Sequence, residues 1–421
     1  MSFFAERAQH FVLFLLLLIF FISSATLFKQ VDIFLYLIAL WGMIIHFRFK
    51  EKIALEGALK VQSHLFFTVF FFITISIMLR EEFLILFEYR YQNFRDLVLV
   101  YFISALFVHY RFSFNPQVIF KLISAAALYA LVYSILIVIE QPYRGIGLLE
   151  TPITRGNMGM LLGVLSLVAY LGLKQNLWRY VALVGAVSGI ALSFLSGSRG
   201  GWATVLITFI TVLYVVYQTD RKKFKEALVF TFLLLILVAL FWKELPIEQR
   251  VLQTIDSIQA YFNGNSYSSL GFRFEMWKAT WLAFCEKPFW GWGFNSFDKI
   301  FEMYRLEGRV TGIAGHSWGH PHNDYMLLLS EKGLIGFVVV LSVLIYPLVY
   351  LFKQLADAIG AQVMDKVYLA LLGIVLIEAL FEFMLSDQTI TMKFQFHFYV
   401  VLILMILSQF SKADFNKEDK D

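Results

Sequence analysis

Apolar residues fall in long runs along most of this 421-residue chain. A helix needs roughly 20 mostly apolar residues to cross the hydrocarbon core of a bilayer. Windows of that kind predict about twelve spans, near 11–28, 32–47, 64–79, 97–110, 117–139, 157–173, 180–196, 201–217, 227–242, 334–352, 367–385 and 395–410. The first window lacks a small-residue cleavage site and is followed almost at once by the second. It therefore reads as a retained helix rather than a signal peptide.

One connection breaks the rhythm. Residues 243–333 contain no spanning segment, hold three of the seven prolines, and interleave Trp277, Trp281, Trp290 and Trp292 with polar residues. Loops longer than ~15 residues are usually functional or disordered, and this composition predicts an ordered, partly buried lid. Periodicity predicts helices over 247–261 and 272–286, while PFWGWGFNS (288–296) reads as a turn-rich aromatic segment. The predicted organisation is spans one to nine in 1–242, the lid in 243–333, spans ten to twelve in 334–410, and a charged, disordered tail at 411–421.

Composition narrows the class. The chain is 59% hydrophobic and 16% charged, with a mean hydropathy of +0.71, whereas soluble domains carry about a quarter of their residues as charges. Disordered, collagenous and ordinary cytosolic proteins are excluded. The single Cys285 excludes a disulfide framework, a Cys-based zinc site and an iron–sulfur cluster. A net charge of +4 with no Lys/Arg-rich patch gives no reason to invoke nucleic acid. The expected fold is an all-α, polytopic integral membrane protein.

Basic residues orient it. With the N-terminus inside, inner loops hold Arg48, Lys50, Lys52, Lys60, Arg111, Lys174, Arg179, Arg221, Lys222, Lys223, Lys225, Lys353, Lys366 and the tail lysines. Outer loops hold fewer, namely Lys29, Arg80, Arg90, Arg95, Arg144, Arg155, Arg199 and Lys393. The positive-inside rule favours both termini in the cytoplasm and the lid outside.

Scarce charges near span ends are informative. Arg199 sits in SGSRGG (196–201), where small residues allow a tight turn and close approach of a bulky anion. Ser198 and N–H groups at the following helix start would add donors; a plain turn with a snorkelling arginine also fits. Arg273, in SLGFRFEMW (269–277), suits bidentate phosphate binding, or an ion pair with Glu275 or Glu286. The segment 315–336 places His316, His320 and His322 just before a span. Three readings compete: a metal site completed by Asp324, a structural role, or a general base with a pKa near working pH. For the base, His322 is the best candidate, since Asn323 and Asp324 beside it can orient a ring or a hydroxyl. Asp387 follows the eleventh span on the outer side, and Glu378 and Glu382 share a face of that span. They can position an outer arginine or form a proton path. Arg155 and Asn157 open the sixth span and are weaker candidates of the same kind.

These residues resemble the O-antigen ligase superfamily, which includes O-antigen polymerases and protein O-oligosaccharyltransferases. Its motif of His, Asn/Ser/Gln, nine residues, Gly, two residues and Gly/Thr/Tyr is matched without a gap by His322-Asn323, Gly333 and Gly336. Arg199, Arg273 and Asp387 look like the family's two arginines and its late aspartate. The resemblance implies a GT-C-like, metal-independent and cofactor-independent inverting glycosyltransferase of lipopolysaccharide biosynthesis. It implies a bacterial inner-membrane location with the active site facing the periplasm. His322 would be the base and Arg199 and Arg273 would bind diphosphate, with Asn323, Asp387, Ser198 and Arg155 in support. An undecaprenyl-diphosphate-linked glycan would be the donor and a lipid A–core sugar hydroxyl the acceptor. The polymerase and protein-glycosylating relatives share that donor. A transporter or lipid-linked oligosaccharide flippase would instead want mid-membrane charge pairs and broken helices, of which the sequence has few.

Overall fold

The computed structural model of the chain describes residues 2–26, 31–49, 55–80, 94–110, 114–140, 152–174, 176–242, 247–313, 315–390 and 393–410. Lys29, Lys50, Lys52, Arg90, Arg111, Arg144 and the predicted tail lie outside the described residues. Among the described residues there is no β-strand.

Over its described residues, each predicted apolar run coincides with a helix or the turn that ends one. In chain order these helices are α1 (Ser2–Thr26), α2 (Val31–Arg48), α3 (Gly57–Met78), α4 (Val100–His109, entered through a 3-10 turn at Asp96–Leu99), α5 (Pro116–Glu140) and α6 (Pro152–Gly172). They continue with α7 (Leu177–Leu195), α8 (Trp202–Thr219, entered through a 3-10 turn at Arg199–Gly201) and α9 (Arg221–Leu240). The lid folds into α10 (Ile247–Phe262), α11 (Ser269–Glu286) and α12 (Phe297–Leu306). The chain then closes with α13 (Asp324–Gly360), α14 (Met364–Met384) and α15 (Lys393–Leu407). Several of these helices are long and apolar enough to cross a bilayer, α3, α6, α7, α8, α13 and α14 among them. The chain is an all-α polytopic membrane protein.

Burial separates two kinds of span. Nearly all of α6 and α14 is enclosed by other helices, whereas α9 exposes apolar residues along most of its length, with Ala227 its one buried side chain. Interior position explains why α6 tolerates Arg155 and Asn157, both buried, in an otherwise apolar run. Helices α6 and α7 approach closely through glycines at i and i+4 on each. A Cβ on Gly189 would lie 2.5 Å from the Gly163 nitrogen, and one on Gly159 3.0 Å from the Gly189 oxygen. Small residues at this spacing let membrane helices pack backbone to backbone.

The two ends of the bundle differ in chemistry. At the predicted inner end, Arg179 pairs with Glu226, Lys223 lies 4.1 Å from the Tyr368 ring centroid, and Gln117 donates to Asp365. The opposite end carries the lid. It has its own small core, in which Met276, Ala279 and Ala283 of α11 pack against Phe297, Ile300, Phe301 and Tyr304 of α12. Helix α12 is absent from the sequence reading, because its apolar stripe spans less than three turns.

Helix α13 begins ten residues before the predicted span, with the Asn323 side chain accepting from the Met326 N–H as its N-cap. It is interrupted at Gly333 (φ 64°, ψ −172°), a conformation open essentially to glycine. The aromatic turn docks into that break. The N–H groups of Trp292 and Gly293 donate to the carbonyls of Ser330 and Glu331, and Leu334 and Ile335 donate back to those of Pro288 and Phe289. A Cβ on Gly333 would sit 2.3 Å from the Phe289 carbonyl. The turn itself requires positive φ at Gly291, Gly293 and Asn295.

Candidate active site

Between the lid and the adjoining end of the bundle lies a cavity of about 570 Å³, lined by Ser198, Arg199, Arg273 and His322 among others. Residues more than a hundred positions apart therefore meet, and four local structures bring them there.

The first is the hinge between α7 and α8. Gly197 takes φ +64°, reversing the chain as the small-residue run predicts. Arg199 projects from the 3-10 turn, its guanidinium donating to the Arg250 carbonyl at 3.0 Å and to the Thr254 hydroxyl, both on α10. The hinge supplies fewer free donors than expected, since the Ser198 N–H goes to Ser196 Oγ and that of Trp202 to the Arg199 carbonyl. Ser198 is buried at the cavity wall.

The second is α11. Arg273 sits on its first turns and donates to the Ser386 carbonyl at 3.3 Å. The ion pairs open to it at the sequence level are absent, because Glu275 accepts from Tyr261 and the Thr311 N–H while Glu286 pairs with Arg309. Burial draws the Arg273 guanidinium below its ordinary pKa, and the Asp387 carboxylate opposes the shift. With a starting value so high, the group stays charged.

The third is the segment before α13. His322 has φ +50°, uncommon for a residue with a side chain. Its N–H donates to the His320 Nδ1 at 3.2 Å, and the two rings lie 4.1 Å apart. This bent backbone aims the His322 ring at the cavity while Asn323 turns away to cap the helix. Asn323 Oδ1 and Asp324 Oδ2 accept from backbone N–H groups instead. Asp324, fully buried, accepts the N–H groups of Thr389 and Ile390, so its role is to fix the loop that follows α14.

That loop is the fourth. It places Asp387 Oδ1 3.7 Å from His322 Nδ1, too long for a hydrogen bond. Asp387 is 3% exposed, and its Oδ2 has no donor among the described residues. One short loop thereby touches both Arg273 and His322. It also reaches the hinge, since a Cβ on Gly200 would lie 2.2 Å from Ser386 Oγ.

Other expected residues fall elsewhere. Arg155 is buried in α6 and does not line the cavity, although Pro152 and Ile153 of that helix do. Glu378 accepts the Thr211 hydroxyl at 2.8 Å rather than holding an outer arginine. Sequence reasoning missed Arg250, Phe272 and Trp318, which also line the cavity. Trp318 belongs to a turn held by Asp298, whose carboxylate accepts the N–H groups of Trp318 and Gly319 and the Ser317 hydroxyl. The GHSWGH run marks a turn, but nothing local names Asp298 as its anchor.

Two clusters have donor sets a cation can use. Among the described residues, His320, His322 and Asp387 each bring a ligand atom within 4.8 Å of the others, as do the buried Asp32, Asp96 and His397 near the starts of three helices. In the second, the two His397 nitrogens face different carboxylates, Nδ1 toward Asp32 at 3.7 Å and Nε2 toward Asp96 at 3.5 Å. That is the geometry of a bridging imidazole.

The fold defines a polytopic membrane protein with an arginine-lined cavity at the lid-bearing end of its bundle. Residues 184–341 match the O-antigen ligase family, an interval containing Arg199, Arg273 and the whole His322–Gly336 motif. The chain is 25% identical to an uncharacterized protein of Haemophilus influenzae, over 83% of this chain and 87% of that one. It is 28% identical to the O-antigen ligase of Escherichia coli K12, over 42% of each. Residues 184–341 thus carry an O-antigen ligase domain, and the two matches support the O-antigen ligase superfamily and, with it, a glycosyltransferase-type enzyme that works on lipid-linked glycans.

Proposed function

We propose that the chain transfers a glycan from a polyprenyl diphosphate, undecaprenyl diphosphate in a bacterial inner membrane, to a sugar hydroxyl of lipid A–core at the periplasmic face. The observation that carries this reading is the convergence of Arg199, Arg273 and His322 on one cavity. The acceptor oxygen attacks the anomeric carbon as His322 removes its proton. The bond from that carbon to the diphosphate oxygen breaks, and the polyprenyl diphosphate leaves. Two guanidinium groups are suited to the charge that grows on the leaving group, and they hold phosphate through fixed planar donors. Asp387 stabilises the imidazolium that forms. A single displacement inverts the anomeric centre.

The positive charge this step needs is supplied by arginine, so the reaction is read as metal-independent. The His320–His322–Asp387 cluster makes that worth testing. Purified protein in vesicles, given lipid-linked glycan and lipid A–core in EDTA, is expected to yield inverted product at the untreated rate. Loss of product in EDTA, restored by a divalent cation, would move the reading to a metal enzyme. Product formed on a second glycan repeat or on a protein hydroxyl instead would assign the acceptor of the polymerase or protein-glycosylating relatives.

A further inference from the structure

Helix α10 presents an apolar face that stands exposed among the described residues. Val251, Ile255 and Phe262 lie along one side of it, with Leu252 beside them, and Phe262 is 82% exposed. Gln249, Gln253 and Asp256 occupy another exposed side. The remaining side packs on the protein, where Ile247 is buried and where the Arg250 carbonyl and Thr254 hydroxyl accept from Arg199. A helix divided this way, with protein, apolar and water-facing sides, suits a position in the plane of a membrane surface.

What covers the apolar side is indicated by its neighbour in sequence. Six residues separate α9 from α10, and α9 exposes Phe232, Leu233, Leu235 and Leu240, as a lipid-facing span does, with Phe241 and Trp242 exposed just after it. The exposed apolar residues of the span are thus followed in sequence by those of the first lid helix. Aromatic residues at a span end mark the level of the headgroups. We infer that α10 rests on the outer leaflet with Val251, Ile255 and Phe262 among the lipid chains, and that it forms the lip over which a lipid-linked substrate reaches the cavity. The second half rests on the proposed function; the first does not.

The geometry gives the lip a consequence. The same helix that touches lipid supplies two acceptors to Arg199, so its depth in the membrane sets where that guanidinium stands. A substrate anchored by a polyprenyl chain arrives at that depth with its diphosphate at the headgroup level.

The test uses the full chain in phosphatidylethanolamine/phosphatidylglycerol vesicles, with Cys285→Ala as background because that thiol is exposed. Single cysteines replacing Val251, Ile255, Gln253 or Asp256 are labelled with a small fluorophore. Labels at 251 and 255 are expected to be quenched by doxyl lipid and shielded from iodide, and those at 253 and 256 the reverse. Iodide reaching all four equally would overturn the seating, as would disulfide pairing between copies at 255 without lipid quenching. In the second arm, Ile255→Asp is expected to slow transfer about tenfold, in line with loss of one buried aliphatic contact, with the melting temperature unchanged and Ile255→Leu restoring the rate. Unchanged transfer by Ile255→Asp would remove the lip while leaving the seating in place. Absence of transfer by the parent protein would fault the proposed function alone, since quenching needs no reaction.

Discussion

The two ends of the His322–Gly336 motif do different work. At its start, a strained His322 faces the cavity, the Asp387 carboxylate and the ring of His320. At its end, Gly333 and Gly336 touch no reacting group. Gly333 opens a break in α13 into which the 288–293 turn hydrogen-bonds, and Gly336 makes room for the Phe72 ring, 2.8 Å from where its Cβ would be. A single sequence pattern therefore joins a reactive group to a docking joint. Spacing alone does not reveal which residue serves which purpose. The comparison implies that damage at the first end slows chemistry in a stable protein, while damage at the second weakens the protein and leaves the chemical step.

After His322 itself, the largest departure is expected from the arginines that serve the first end. Arg199→Ala or Arg273→Ala should each reduce transfer by about 10²–10³, the usual effect of removing one preorganised charge-stabilising donor, in protein whose melting temperature holds. A tenfold rise in KM with unchanged kcat would place the arginine in ground-state binding instead. Asp387→Asn should follow, at about a hundredfold or less, because the carboxylate acts through the imidazole and its 3.7 Å separation is already loose. Equal losses in Asp387→Asn and Asp387→Ala, with the fold intact, would fit that role; full activity in either would not. The smallest effect on rate belongs to Gly333→Ala. It should cost about 2–3 kcal/mol of stability, from backbone strain and collision with the Phe289 carbonyl, seen as a lower midpoint in thermal or denaturant unfolding. Turnover per folded molecule should stay within about twofold. A stable Gly333→Ala protein that has lost transfer would erase the contrast between the two ends.

Much of this was legible in the sequence, for physical reasons. A twenty-residue apolar run has few ways to satisfy its backbone in lipid other than a helix, so the spans follow from composition. Arg199, Arg273, His322 and Asp387 stand out because charge is rare in such a chain, and the topology already puts them at one face. Roles set by local hydrogen bonding were not legible. Asn323 beside His322 looks like a helper, yet the Met326 N–H in the first turn of α13 claims its side chain as a cap. Asp324 looks like a ligand, yet it holds the loop of Asp387 through two backbone N–H groups. Arg155 looks like an outer-mouth cation, but the closure of other helices around α6 buries it away from the cavity. Arg250 and Trp318 reach the cavity only through the fold of the lid, which no short-range pattern encodes.

The most direct measurement is transfer by His322→Ala in vesicles, read together with its melting temperature. The account requires product to fall by about 10²–10⁴, the contribution of a positioned general base, in protein that unfolds at the same temperature as the parent. A stably folded His322→Ala protein that forms product at the parental rate would contradict it.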